Sequence, residues 1–560
     1  MATTPLILGP MLRHVGETTA TIWVETERTA TVRVRVDGRS WQARTFAVHD
    51  HHYALVELDG LEPGAVLPYE VDVDDERAWP EPDADYPPSV IATWETGRRL
   101  RLAYGSCRTS VPHDLKGNLT HGVDAMRTFA LALAEGYAER PDLMMFLGDQ
   151  VYADITSEEM QEFIRNKRDI DEEPGEELKD YEEYAHLYRL AWSDPANRWL
   201  LSTVPTAMIF DDHDVRDDWN ASHDWKQKME ATSWWHGRIV AGLGSYWVYQ
   251  HLGNLTPEER ADDELWQRVA HHDGADELDL TDEVDAFADR SDQEPTSVRW
   301  SYTRDYDDIR LIVVDSRAAR QLDPDDRALL DPDELDWFDA QLRGGFRHVL
   351  IATSLPFLLP MGLHNVEAWD EAISQGAWGR RAARVGEVLR QAVDLEHWGA
   401  WQDTFQKVAR MIRELAAGER GPAPQNVLFL AGDVHYSYLA QIDRDDVPGA
   451  RVLQAVCSPI RNPLPRVMRW FSVVMSYGAA TPIGRLAARS AKVPDAPFRW
   501  STVKGPWFAN NLALLLDAPD ELRLTWHTGV VEDGDQDHPH LEQVADVRVP
   551  ADPRARVTSG

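Results

Sequence analysis

The rhythm of apolar positions along the chain changes near residue 100. Before it, "ATIWVETE", "ATVRVRVDG" and "HYALVELDGLEPGAVLPYEVDVD" alternate apolar and polar residues between Gly, Pro and Asp turn signals, the pattern of short half-buried strands. Residues 1–97 therefore read as a small all-β sandwich of immunoglobulin or fibronectin type. Beyond it, short continuous apolar runs are spaced by long segments of helical period, as in an α/β sheet. "DAMRTFALALAEGYAERP" places Met126, Phe129, Ala130, Leu133 and Tyr137 on one helical face before Pro141 stops the helix. Residues 98–550 are assigned to this second unit. Two stretches read as insertions in it, an acidic helical one near 157–200 and an Asp-rich one near 258–296. The latter reads as a mobile excursion, and its carboxylates lack the glycine and ligand spacing of an EF-hand loop. The tail 551–560 reads as disordered.

Composition narrows the function. A length of 560 residues fits two or three structural units. No apolar stretch approaches the roughly 18 residues of a membrane span, and "MATTPLILGPMLRHV" lacks the basic start of a secretory signal and is broken by Gly9 and Pro10, so a cytoplasmic protein is expected. Against 95 acidic residues stand 57 basic ones, and the net charge of -38 would repel phosphate backbones and anionic lipid over most of the surface. Neither a nucleic-acid scaffold nor a membrane partner is expected. Two cysteines, Cys107 and Cys457, make no disulfide framework, and each reads as a free thiol or a metal ligand. "VCSPIRNP" around Cys457 reads as turn structure.

Six apolar runs each end in polar residues of unusual type. "RLAY" gives way to Gly105, Ser106 and Cys107; "LMMFL" to Gly148, Asp149, Gln150, Val151 and Tyr152; "AMIF" to Asp211, Asp212, His213 and Asp214. "RLIVV" ends at Asp315, Ser316 and Arg317, "HVLIA" at Thr353 and Ser354, and "VLFLA" at Gly432, Asp433, Val434 and His435. Carboxyl ends of strands line the ligand crevice of an open α/β sheet, so the clusters should converge there. An Asp after a strand is often only the N-cap of the next helix, but capping does not account for Cys, Tyr and His in the same positions. Thiolate, carboxylate, phenolate and imidazole from Cys107, Asp149, Tyr152 and His435 suit a Lewis-acidic metal such as ferric iron. Asp149, Asp212 and Asp433 offer oxygen ligands suited to Ca, Mg or Mn, with Asp149 as the bridge. Paired metals can hold a hydroxide for in-line attack on phosphorus. Ligands drawn from separate strand ends leave room for water, as in a catalytic rather than a structural metal site.

In their order, "GSC" at 105–107, "GDQVY" at 148–152, "DDHDVRDDWN" at 211–220, "DSR" at 315–317 and "GDVHYS" at 432–437 resemble the motifs of the PhoD-like alkaline phosphatases, calcineurin-like metallophosphoesterases related to purple acid phosphatases. The resemblance implies a four-layer α/β/β/α sandwich holding Fe3+ and Ca2+, with Mn2+, Mg2+ or Zn2+ as substitutes. It makes Cys107, Asp149, Tyr152 and His435 the iron ligands and Asp212 and Asp433 ligands of the second metal. Asp211 and Asn220 stand as further ligands or supports. His213 would stabilise phosphoryl charge or protonate the leaving oxygen. Arg317 is either a phosphate clamp or a partner of Asp315. Ser354 stands where the wider superfamily has a metal-binding His, and Asp214 and Asp217 where many members have Glu and Asn. His113, His364 and Glu367 lie in segments that could approach the crevice, and Trp234, Trp235, Trp398 and Trp401 are candidate pocket walls. The expected activity is hydrolysis of small phosphoric esters, mono- or diesters, by a metal-bound hydroxide. The alternatives are a diesterase specific for nucleotide or phospholipid-derived esters and a non-catalytic metal-dependent binding protein.

Overall fold

A computed structural model describes residues 5–392, 395–464, 480–551 and 557–559. Between Leu6 and Ala92, nine strands, β1–β9, form two facing sheets of an all-β unit. Its core is built from alternate residues such as Ile22, Val24, Val32 and Val34. The other face of one sheet is also covered. All seven residues of β2 (Ala20–Thr26) are buried, because Trp23 turns outward and packs on Tyr53 and Tyr249, with ring centroids 5.9 and 5.3 Å away.

The larger unit holds two seven-stranded sheets. In the first, β10 (Arg101–Gly105), β11 (Leu143–Leu147) and β12 (Thr206–Ile209) run parallel. The antiparallel strands β21 (Leu512–Asp517), β22 (Glu521–Val530) and β23 (His540–Pro550) extend it from β10. In the second, β15 (Ile309–Val314), β16 (His348–Thr353), β17 (Asn426–Ala431) and β19 (Arg451–Val456) are parallel. Three antiparallel strands flank them: β14 (Tyr302–Tyr306), β18 (Ser437–Ile442) and β20 (Trp500–Trp507).

Side-chain alternation sorts the layers. Leu311, Val313, Leu350 and Leu428 face the first sheet in one large core, whereas Ile312, Val314, Ile351 and Phe429 pack against Phe338, Phe405 and Ile412 of the covering helices Pro332–Gln341 and Gln402–Ala417. The helix Ala125–Ala134 puts Met126 and Phe129 into the large core from the first sheet's outer side. Trp526 donates from β22 to the Val456 carbonyl of β19 at 3.0 Å, tying the sheets face to face. The result is the expected α/β/β/α sandwich with an all-β unit at its amino-terminal side.

Three details differ from the sequence reading. The helix predicted to reach Tyr137 stops at Ala134, with Gly136 at φ +79°, and leaves Tyr137 exposed. The Asp-rich stretch is not an excursion. Its helix Thr281–Gln293 buries Val284, Phe287 and Ala288 at helical spacing in the large core, and β13 (Leu278–Asp279) joins the all-β unit beside Phe46 and Ala47. In the tail, residues 552–556 and 560 lie outside the described residues, while β24 (Thr558–Ser559) pairs with β23.

Candidate metal centre

The parallel strands of both sheets deliver their carboxyl ends to one place. Three sets of potential ligands have their donor atoms within 4.8 Å of one another: Cys107, Asp149 and His435; Asp149, Asp212 and His213; Asp211, Asp212 and Asp433. Asp149 belongs to two sets and Asp212 to two. The turns that carry these residues are tight. Cys107, Asp149, Asp433 and His435 all adopt left-handed φ, between 50° and 66°, a conformation non-glycine residues hold only where their surroundings impose it. Those surroundings are identifiable. Cys107 N–H donates to the Gly148 carbonyl at 3.2 Å and Arg108 N–H to that of Asp149 at 3.0 Å. Ser106 Oγ accepts from Asp433 N–H, and Ser458 Oγ from His435 N–H, each at 3.1 Å. Asp214 Oδ2 accepts from the amides of both Asp149 and Asp211 at 2.9 Å, locking two ligand turns together.

The electrostatics fit a cation site. Burial, reinforced by the carboxylates of Asp149 and Asp433, pushes the Cys107 thiol well above its usual range. Burial likewise pushes Asp149 and Asp211 well up, with the neighbouring Asp carboxylates adding to it. Asp149 Oδ1, Asp211 Oδ2 and Asn220 Oδ1 are buried and take no hydrogen bond among the described residues. Concentrated, desolvated and under-satisfied donors of mixed S, O and N type are what a cation would relieve. His435 is pushed down to about 4 by burial, so near neutral pH its imidazole is uncharged and able to ligate. Tyr152 OH donates to Asp149 Oδ2 at 3.3 Å, with its phenol held well up by burial and by Cys107.

The His213 side chain is 14% exposed, its Nδ1 2.9 Å from both Asp154 oxygens and its ring centroid 4.7 Å from that of Tyr152. Asp154 was not singled out in the sequence, where it lies two positions after Tyr152 in an unremarkable loop. His397 was equally hidden: it lies 2.7 Å from Asp433 Oδ2 through Nε2 and 2.7 Å from Glu367 Oε1 through Nδ1, which brings Glu367 to the crevice as expected. Glu367 belongs to the helix Met361–Ser374.

Arg317, expected as either a phosphate clamp or a partner of Asp315, meets Asp315 through its backbone N–H, which donates to Asp315 Oδ1 at 2.7 Å. It is fully buried, with Nε on Asp211, Nη1 on Glu396 and Nη2 3.1 Å from Asp212 Oδ1, so its guanidinium is committed to carboxylates. Asn220 Nδ2 donates to the Arg317 carbonyl at 3.3 Å. Ser354 bonds Ser316 at 2.8 Å. His113 lies elsewhere, 3.8 Å from Asp124 and from Asp194. Trp398 and Trp401 are core residues, the latter 3.4 Å beneath the Arg327 guanidinium, and Trp234 and Trp235 stack edge to face. Cys457 is buried beside Asn511 Oδ1 at 3.1 Å.

A family model described as PhoD-like phosphatase matches residues 118–467, beginning after Cys107, and a domain of unknown function, DUF7800, matches residues 3–91. No curated protein matches the chain. Among solved structures, one titled "Structure of PhoD" superposes with a TM-score of 0.59 at 13% identity, covering 100% of this chain and 92% of that one; it is a likeness of fold. A purple acid phosphatase from yellow lupin (Lupinus luteus) seeds aligns at 10% identity over 93% of this chain and 71% of its own, with a TM-score of 0.45.

Proposed function

The chain belongs to the PhoD-like phosphatase family and is a phosphatase, and from that premise we propose that it hydrolyses small phosphoric esters at a two-cation centre bridged by Asp149. One observation carries this reading: the three ligand sets share Asp149 and Asp212, so two cations would sit side by side rather than in separate structural sites. Cys107, Tyr152 and His435 complete the sulfur-, oxygen- and nitrogen-bearing side, which suits Fe3+. Asp212 and Asp433, with Asp211 and Asn220 close by, form the oxygen-rich side, which suits Ca2+ or Mn2+. Cations bound there supply an activated water and stabilise charge on the phosphoryl oxygens.

The chain's own groups do the rest. His213, oriented through Nδ1 by Asp154, presents Nε2 to the substrate side as the proton donor for the leaving oxygen. Arg317 pairs with both Asp211 and Asp212 and holds them in place. Asp214 fixes the turns on which Asp149 and Asp211 stand.

The test is hydrolysis of paired chromogenic phosphate mono- and diesters by metal-analysed protein, beside Asp149→Asn. Loss of the bridge is expected to lower turnover at least a thousandfold with circular dichroism unchanged, and the wild-type rates rank the two ester classes. Turnover that survives in a variant of normal metal content would overturn the bridged centre.

A further inference from the structure

Among the described residues, two neighbouring surface segments of this acidic protein have inverted character. Residues 376–392 and 480–492 contain seven Arg or Lys and a single Glu, in a chain where acidic residues outnumber basic ones 95 to 57. The same two segments hold five of the eleven large hydrophobic side chains that stand exposed among the described residues: Trp378, Val385, Val388, Ile483 and Leu486. The last four are between 68 and 72% exposed, on the outer sides of the helices Arg380–Ala392 and Ala480–Ser490.

The inner sides are already used, and glycines allow it. A Cβ on Gly386 would lie 2.5 Å from Ser374 Oγ, and one on Gly484 would lie 2.9 Å from the Gly362 carbonyl. Both helices thus press closely on the helix Met361–Ser374, and Trp378 ties them together by donating to the Ser490 carbonyl at 3.3 Å. What remains outward is apolar residues interleaved with arginines. Arg390 is taken by Glu387 at 3.1 Å, and Arg489 lies 3.4 Å from Asp495. Arg380, Arg381, Arg384, Arg485 and Lys492 have no carboxylate partner among the described residues. Beside them opens a cleft of about 270 Å3 lined in part by Arg485, Arg489 and Phe498.

We propose that this helical unit docks the protein on an anionic phospholipid bilayer. An amphipathic helix with apolar residues on one side and arginines at its margin lies in the headgroup region with its apolar side inserted, and the basic margin selects anionic lipid. Net charge does not oppose this, since at physiological salt charges are screened beyond about 8 Å and the local surface decides. No helix among the described residues is long and apolar enough to span a bilayer, so attachment is to the surface. The unit is rooted beside the metal centre, because the helix it packs on carries Glu367, which holds His397 and through it Asp433. The docking inference stands independently of the hydrolase reading.

Sedimentation with phosphatidylcholine vesicles, with and without phosphatidylglycerol, tests it. The full chain is expected to sediment only with the anionic vesicles, and less as salt rises. Arg381→Gln with Arg384→Gln should weaken partitioning roughly 25-fold, and Ile483→Glu with Leu486→Glu should abolish it. Circular dichroism and thermal unfolding of both variants should match those of the wild type, which shows that they fold. Absence of sedimentation by the wild type, or sedimentation unaffected by the substitutions, would overturn the proposal. So would self-association that Leu486→Glu removes without any vesicle binding, because the patch would then join two copies of this chain.

Discussion

His213 could be singled out from its place after two aspartates; its partner could not. Asp154 is one more Asp in an acid-rich chain, and only folding sets it 2.9 Å from His213 Nδ1 while it also accepts the Asp217 amide at 2.6 Å. The same holds for His397, which is far from Asp433 in the chain yet 2.7 Å from it in space. The candidate ligand residues stood out because their types are rare at strand ends, whereas the direction of Arg317 depends on Asp211 and Glu396 facing it. Asp154→Asn keeps the shape and removes the charge that orients the imidazole. It is expected to lower kcat about 10- to 100-fold with KM and metal content little changed; an unaltered kcat in steady-state assays would remove Asp154 from the reaction.

At the scale of elements, the six apolar runs correspond to β10, β11, β12, β15, β16 and β17, because uninterrupted burial on both faces demands apolar residues at every position. Two positions show how closely their ends approach. Gly148 has φ +95°, and a Cβ there would meet Asp211 Cβ at 2.5 Å; one on Gly432 would meet Ser106 Oγ at 2.3 Å. Gly148→Ala therefore combines backbone strain with a clash between two ligand turns. A loss of about 3 kcal/mol in denaturant unfolding is expected, together with reduced metal binding; wild-type stability with full metal content would show that the turns can part. The elements missed in the sequence were those whose partners are remote, such as the helix Thr281–Gln293, whose polar composition conceals Val284, Phe287 and Ala288.

At the scale of the molecule, the sheets are also joined by charge. Asp517 at the end of β21 receives Arg347, which precedes β16, at 2.7 Å and Arg99 at 3.1 Å. Burial alone would raise its carboxyl, but the His348 ring 3.6 Å away and the hydrogen bonds from Arg347 outweigh that and hold it well below the usual range. A depressed folded-state pKa stabilises above the unfolded value, near 3.9, and that stability is lost as pH falls through the range below it. Melting temperature is expected to drop below about pH 4, and less steeply in Asp517→Asn; an identical acid limb in the variant would assign the effect to other carboxylates. By itself the sequence determined the all-β and α/β units, the buried strands and the residue types of the candidate metal centre, because strand burial and ligand chemistry are written in local pattern. Only the tertiary structure decided that the strands divide between two sheets, that Trp23 buries the all-β unit against the rest, that Arg317 turns inward, and that His397 and Asp154 complete the site. Those outcomes depend on which distant side chains share a small volume, and no local pattern of apolar and polar residues encodes that.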